Sequence, residues 1–84
     1  MSHIHSRQYL NGGDSFVVNC THQANVLVMD ESNLSTYRRG GSAKYYGGFF
    51  RRLPAHIPVP HSGHWNVLLE APRGARYGMQ VIRR

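Results

Sequence analysis

Acidic residues, cysteines and long apolar runs are all scarce in this sequence, and each shortage excludes a class of protein. Only four acidic residues stand against ten lysines and arginines, which gives a formal net charge of +6. The single cysteine, Cys20, cannot form an intramolecular disulfide, which argues against a disulfide-stapled secreted scaffold. No stretch approaches the roughly 18 apolar residues of a membrane span, and the first ten residues lack the apolar segment of a signal peptide. We therefore expect a cytoplasmic protein, without membrane association, that attracts anionic partners.

The length of the chain limits the core that it can build. A protein of 84 residues buries roughly 60 to 65% of the surface that its unfolded chain exposes, which is enough for one thin core. No internal repeat, low-complexity segment or linker divides the sequence. We therefore predict a single domain over residues 1–84.

Short strands are predicted along the whole chain from the spacing of its apolar residues. The clearest strand contains Trp65, Val67 and Leu69, which alternate with residues that face the other way. The predicted strands cover residues 3–10, 15–21, 24–29, 43–46, 49–53, 55–59, 64–70 and 77–82. One or two helical turns are predicted over residues 30–37, and the candidate caps are Asp30, Ser32 and Asn33. The pattern predicts an all-β fold, a jelly-roll-like sandwich of seven or eight short antiparallel strands with one short helical turn.

Glycine and proline mark two special places in this pattern. Gly47 and Gly48 separate two aromatic runs, which predicts a hairpin with a tight turn at the glycine pair. Pro54, Pro58 and Pro60 cannot donate a backbone hydrogen bond, so the segment that holds them must lie at a sheet edge or as an extended coil.

A basic and aromatic segment, residues 37–52, is the strongest functional signal. It holds five cations and five aromatic rings and no acidic residue. Arginine binds phosphate through two parallel donors, and aromatic rings stack on bases, so this composition suits a nucleotide or single-stranded nucleic acid. Consecutive strand residues face opposite ways, so at least one of Phe49 and Phe50 is expected in the core. The candidate ligand-binding residues, expected on one exposed surface, are Tyr37, Arg38, Arg39, Lys44, Tyr45, Tyr46, Arg51, Arg52, His61 and His64.

Neither a metal site nor a catalytic site is indicated. His56, His61 and His64 are close in sequence, but they match neither the cysteine-paired nor the helical spacing of zinc ligands. Cys20 is predicted to point inward from a central strand, which disfavours a reactive thiolate. Among the four carboxylates only Asp30 and its neighbour are adjacent, so paired-carboxylate catalysis is not expected. We expect no enzymatic activity, no cofactor and no bound metal.

Several motifs resemble those of a small bacterial family, the domain of unknown function 1883. The matching residues are Val28, Met29, Asp30, Ser32, Asn33, Tyr37, residues 45–48 and residues 58–65. The last of these, Pro-Val-Pro-His-Ser-Gly-His-Trp, is the most specific. The resemblance implies a compact β-sandwich without an attached enzymatic activity, and some members of that family are fused to TIR signalling domains.

Two functional hypotheses follow. The first is a non-enzymatic binding module whose basic, aromatic face holds an anionic ligand such as a nucleotide or single-stranded nucleic acid. The alternative is a protein-interaction or self-assembly module, working with a TIR-type partner, in which the edge around Ile57 and Val59 or the exposed aromatic residues dock another chain or a second copy.

Overall fold

The computed structural model describes the backbone of residues 2–84 and the side chains from residue 4 onward. These residues form seven strands and one helix. The elements are β1 (Ser2–Leu10), β2 (Ser15–Cys20), β3 (Ala24–Asp30), α1 (Glu31–Arg38), β4 (Tyr46–Phe50), β5 (Ala55–Pro58), β6 (Gly63–Ala71) and β7 (Tyr77–Ile82). No helix of the described chain is long and apolar enough to cross a membrane.

The strands form two antiparallel sheets that pack as a sandwich. One sheet has the order β1-β6-β3-β4, and the other has the order β5-β2-β7. Three strand pairs are nested in the sequence: β3 with β4, then β2 with β5 outside them, then β1 with β6 outside those. Successive pairs belong to alternate sheets. A long hairpin wrapped around a core produces this nesting, so the predicted jelly-roll-like sandwich is confirmed, with β7 added at one edge.

The core lies between the sheets and is built by the inward residues of each strand. Trp65, Val67 and Leu69 are buried there from β6, as the alternation predicts. Phe16 and Val18 meet them from β2 in the opposite sheet. Seventeen hydrophobic residues of the described chain are buried, and each large one contributes roughly 1.5 to 3 kcal/mol relative to an exposed position.

Helix α1 covers part of the outer face of the larger sheet. Its N-cap is Asp30, whose Oδ1 accepts from the Asn33 backbone N–H at 2.8 Å. Leu34 is buried against Leu27 and Met29, which form a second small apolar cluster. Strand β3 is therefore apolar on both faces, which explains its nearly continuous apolar run.

The predicted hairpin at the glycine pair is wrong. Gly47 and Gly48 lie inside β4, opposite Leu27 and Val26, and not in a turn. Gly47 has φ +106°, and a Cβ at this position would collide with the carbonyl oxygen of Val26. Glycine is needed here because the backbones of β3 and β4 approach closely, which the sequence pattern alone does not distinguish from a turn.

The proline-rich segment forms the edge strand β5, as predicted. The backbone N–H of Val59 donates to Asp14 O at 2.9 Å, so Val59 points its backbone polar groups toward the β2 side. Antiparallel pairing alternates, so residues 54, 56, 58 and 60 point theirs outward. Three of these four are prolines and present no N–H, which protects this edge from pairing with another strand.

Candidate functional site

Three connections meet at one end of the sandwich. Phe50, which ends β4, pairs with Ala24, so residues 51–54 begin beside the 21–23 turn. The loop between β6 and β7 reaches the same turn, because Thr21 N donates to Arg76 O and Arg76 N donates to Thr21 Oγ1, each at 2.9 Å. Residues distant in sequence therefore share this end.

Four exposed arginines project from these connections. They are Arg51, Arg52, Arg73 and Arg76, and together they define what we call the arginine end. None of their side chains forms an ion pair or side-chain hydrogen bond within the described part of the chain. Guanidinium groups stay charged at all physiological pH values, so this end carries positive charge that the protein does not neutralise.

Two exposed aromatic rings lie beside the arginine end. Phe49 is 56% exposed and lines a cleft of about 390 Å³ with His22 and Pro72. Glu70 lines this cleft too, so one acidic group accompanies the cations here. Tyr77 is 50% exposed and lines a second cleft with Arg76, on the β7 side. Exposed rings thus lie at this end on both sheets, and Tyr77 shares its cleft with an arginine.

The opposite end is organised by a buried carboxylate, and we call it the carboxylate end. Asp14 is only 2% exposed. Its Oδ1 accepts from Arg84 N at 2.8 Å, and its Oδ2 accepts from Asn11 N at 2.9 Å and Arg83 Nη1 at 3.0 Å. These hydrogen bonds hold the pKa of Asp14 below its ordinary value. The largest contribution comes from the backbone N–H of Arg84, followed by that of Asn11 and by the Arg83 guanidinium. This carboxylate therefore holds Asn11, Arg83 and Arg84 together at this end.

An apolar groove runs between the edges of the two sheets. We call it the edge groove, and it has a volume of about 480 Å³. Its lining residues are Tyr46, Gly47, Phe50, His56, Ile57, Pro58, Val59 and Pro60. At one mouth the rings of Tyr46 and His61 lie 6.0 Å and 4.9 Å from the Trp65 ring, and Trp65 Nε1 donates to His61 O at 3.0 Å.

A chain of polar contacts fixes α1 to the outer face of the larger sheet. Arg38 Nη2 donates to His5 Nδ1 at 3.2 Å, so the other ring nitrogen, Nε2, carries the proton and donates to Asn66 Oδ1 at 2.7 Å. Asn66 is completely buried and donates through Nδ2 to Glu31 Oε1 at 2.9 Å. Glu31 also accepts from Arg7 Nε at 2.7 Å. The Asn66 amide, then Arg7, lowers the pKa of Glu31.

The ten predicted ligand residues are all exposed, but the structure divides them among separate places. Tyr37 and Arg38 lie on α1, Arg39 caps its end, and Lys44 and Tyr45 belong to the connection that leads into β4. The remaining five occupy three other places. Arg51 and Arg52 belong to the arginine end, Tyr46 and His61 to a mouth of the edge groove, and His64 to the outer face, where its ring packs edge-on against Tyr9 at 5.4 Å.

The expected single surface does not form, because a strand intervenes. Strand β4 holds five residues, which at about 3.3 Å per residue places Tyr46 and Phe50 about 13 Å apart. Lys44 and Arg51 therefore lie at opposite ends of β4. Sequence reasoning missed Arg73 and Arg76, which lie at the same end as Arg51 and Arg52. Only the antiparallel pairing of β3 with β4 and β6 brings the 72–76 loop to the end where β4 stops.

The histidines do not assemble a metal site in the described residues. No group of three or more histidine, cysteine or carboxylate side chains lies close enough there to hold a metal ion. Cys20, predicted to point inward from a central strand, is half-buried and packs against the core from β2, the middle strand of its sheet.

A family model assigns the chain to a known group of sequences. The model described as "Domain of unknown function (DUF1883)" matches residues 1–83. The chain belongs to this family. No curated protein and no solved structure matches it. Membership confirms the resemblance carried by the Pro-Val-Pro-His-Ser-Gly-His-Trp motif, whose residues form the end of β5, the following loop and the start of β6 in this DUF1883 domain.

Proposed function

We propose that this DUF1883 domain is a non-enzymatic binding module that holds an anionic ligand of the nucleotide or single-stranded nucleic-acid class at its arginine end. The observation that carries the proposal is the set of four exposed arginines, gathered from two loops at one end of the sandwich, whose side chains have no partner among the described residues.

Three of the arginines outside the arginine end already have side-chain partners. Arg7 is paired with Glu31, Arg38 donates to His5, and Arg83 is paired with Asp14. The arginine end instead offers forked donors that a phosphate can occupy without breaking an existing contact. Its positive field also accelerates the approach of a charged ligand.

The exposed rings favour a ligand that carries bases. Phe49 and Tyr77 are each at least half exposed, although burial of an aromatic ring is normally favourable. A base that stacks on such a ring contributes about 1 to 3 kcal/mol, and this contribution depends little on base identity. Exposed rings at the end that bears the arginines therefore suit a single strand whose bases are free to stack.

A binding role without catalysis agrees with the placement of the reactive groups. Asp14 is engaged by three donors at the far end, and Glu31 is engaged by Asn66 and Arg7 under α1. Neither carboxylate approaches the half-buried Cys20 through any contact of the described chain. Catalysis would need a nucleophile, a base and an orienting group in one pocket.

The test is a binding titration with fluorescent single-stranded DNA of mixed sequence, and with ATP as a nucleotide probe, at low and at near-physiological salt. The variant Arg51→Gln/Arg52→Gln should weaken oligonucleotide binding at least about tenfold at low salt, because hydrogen bonds to charged groups contribute about 1.5 to 3 kcal/mol each. Native affinity should fall as salt rises, because phosphate contacts release counterions.

The matched control is Arg38→Gln/Arg39→Gln, which removes the same charge from an adjacent pair at the end of α1. We expect less than about a threefold change for this control, since only the general field is reduced. Equal losses in the two double variants, or no binding of either probe at low salt, would overturn the proposal.

A further inference from the structure

The edge groove is lined mainly by apolar side chains, although it opens to solvent. Tyr46 and Phe50 form the wall from β4, while Ile57 from β5 and Val59 just after it form the floor. Tyr46 is 47% exposed at one mouth. A volume of about 480 Å³ lies within the range of roughly 300 to 1,000 Å³ that is typical of ligand sites.

The backbone of β5 restricts how an occupant can bind. In β5 and the residues that flank it, positions 54, 56, 58 and 60 point outward. Three of these are prolines, so only His56 offers an outward N–H. An added strand would find acceptors but too few donors for a ladder. An occupant must therefore bind mainly by inserting side chains into the groove and not by extending the sheet through β5.

The charge around the groove selects among occupants. Residues 32–69 contain no acidic residue, so no segment that builds the groove or its mouths carries a negative side chain. Lys44 lies two residues before Tyr46 at one mouth, and Arg51 and Arg52 directly follow Phe50 at the other. A second copy docked through the same groove would bring like charges together, which is unfavourable. An apolar segment flanked by carboxylates would place its charges beside the cations.

We propose that the edge groove docks an extended segment of a partner protein in which apolar side chains are flanked by acidic residues. The apolar side chains occupy the space over Ile57 and Val59, and the carboxylates face Lys44 at one mouth and Arg51 at the other. This site is separate from the proposed nucleic-acid site, although Arg51 and Arg52 border both.

The experiment uses the full chain and an acetylated, amidated peptide Glu-Glu-Leu-Phe-Leu-Glu-Glu, with binding followed by calorimetry or by NMR shifts. Two control peptides replace the glutamates with lysines or the apolar residues with serines. The acidic apolar peptide should bind at least about tenfold more tightly than either control, since each contribution is lost in one of them.

Variants locate the contact. Tyr46→Ala should weaken peptide binding at least about fivefold, and Pro58→Glu, which places a negative charge on an exposed groove position, at least about tenfold. The matched control is Tyr9→Ala, because Tyr9 is 50% exposed and also packs edge-on against a ring, but on the outer face. It should change peptide affinity less than about twofold.

The two proposals fail separately. Oligonucleotide binding should be unchanged in Tyr46→Ala, so loss of peptide binding alone identifies the groove. Equal binding of the lysine peptide, equal effects of Tyr46→Ala and Tyr9→Ala, or a dimer of the native chain that Pro58→Glu dissociates would each overturn the docking proposal. If Tyr46→Ala does not fold, Pro58→Glu alone decides.

Discussion

Both ends of the sandwich carry arginines, but only the carboxylate end pairs an arginine with an acidic side chain in the described chain. At the carboxylate end, Asp14 is buried and organises Arg83 and the backbone of Arg84. At the arginine end, four arginines have no such partner in the described chain. Strand β6 links the ends, and the rise of about 3.3 Å per residue from its first to its ninth residue separates them by about 26 Å.

This contrast shows that a buried acceptor, and not the number of cations, decides what an arginine does. Arg83 contributes to stability because Asp14 is already out of water, and an unpaired buried carboxylate is unfavourable. The guanidinium groups of Arg51 and Arg73 remain solvated, so removing them leaves nothing unpaired. The first end should therefore respond to mutation in stability, and the second in binding.

The largest effect is expected from Asp14→Asn. The amide nitrogen of asparagine would face at least one N–H donor that the carboxylate now accepts, so a repulsive contact replaces a charge-assisted hydrogen bond. We expect the melting temperature to fall by about 5 to 15 °C in calorimetry. Asp30→Asn is the matched control, because asparagine is an equally good N-cap, and it should shift the melting temperature by less than about 3 °C. Equal shifts would contradict a structural role specific to Asp14.

The acid stability of the domain should depend on the same group. Because the folded pKa of Asp14 lies below its unfolded value, the unfolded chain binds more protons as the pH falls. The contribution is fully present above the unfolded pKa, near 3.9, and is lost as the pH falls from there through the folded pKa. Glu31 acts in the same sense, more weakly because its side chain is half exposed.

Thermal melts between pH 6 and pH 2.5 test this dependence. The native domain should lose stability steeply below about pH 4, whereas Asp14→Asn, which has no carboxyl to protonate there, should show a flatter profile. Parallel profiles for the two proteins would show that Asp14 does not control acid unfolding.

Much of the fold could be predicted from local pattern. Trp65, Val67 and Leu69 are buried, as expected for apolar residues that alternate with other residues along a strand with one face on the core. The proline-rich segment lies at an edge because proline has no N–H to donate to a second neighbouring strand. Phe50 packs on the core and Phe49 points outward, as alternation requires.

The candidate site was less predictable because pairing between distant residues decides it. Asp14 meets Arg83 across 69 positions, and Thr21 meets Arg76 across 55, so no local window reveals either end. The glycine pair of β4 has the composition of a turn, yet its position opposite Val26 makes it part of a strand. Local composition identified cations and rings that are exposed, but it did not indicate that strand pairing divides them among separate places.

The second loop of the arginine end sharpens the contrast between the ends. If Arg73 and Arg76 each contact a phosphate, the variant Arg73→Gln/Arg76→Gln should reduce the slope of log affinity against log salt by about 1.4, or about 0.7 for each contact with a single strand. The melting temperature should change by less than about 2 °C, because neither side chain has a partner in the described chain. An unchanged slope would restrict the proposed site to the 51–54 loop.

The smallest binding effect is expected from Arg83→Gln, which removes one positive charge from the carboxylate end. The Debye length is about 10 Å at 0.1 M salt, so a charge about 26 Å from the ligand is screened over more than two such lengths. Asp14 already offsets Arg83 at 3.0 Å, which weakens its distant field further. Oligonucleotide affinity at that salt should change by less than about twofold, while the melting temperature falls because Asp14 loses a donor. A loss of affinity as large as that of Arg51→Gln/Arg52→Gln would mean that the ligand responds to total charge, and the two ends would then be equivalent for binding.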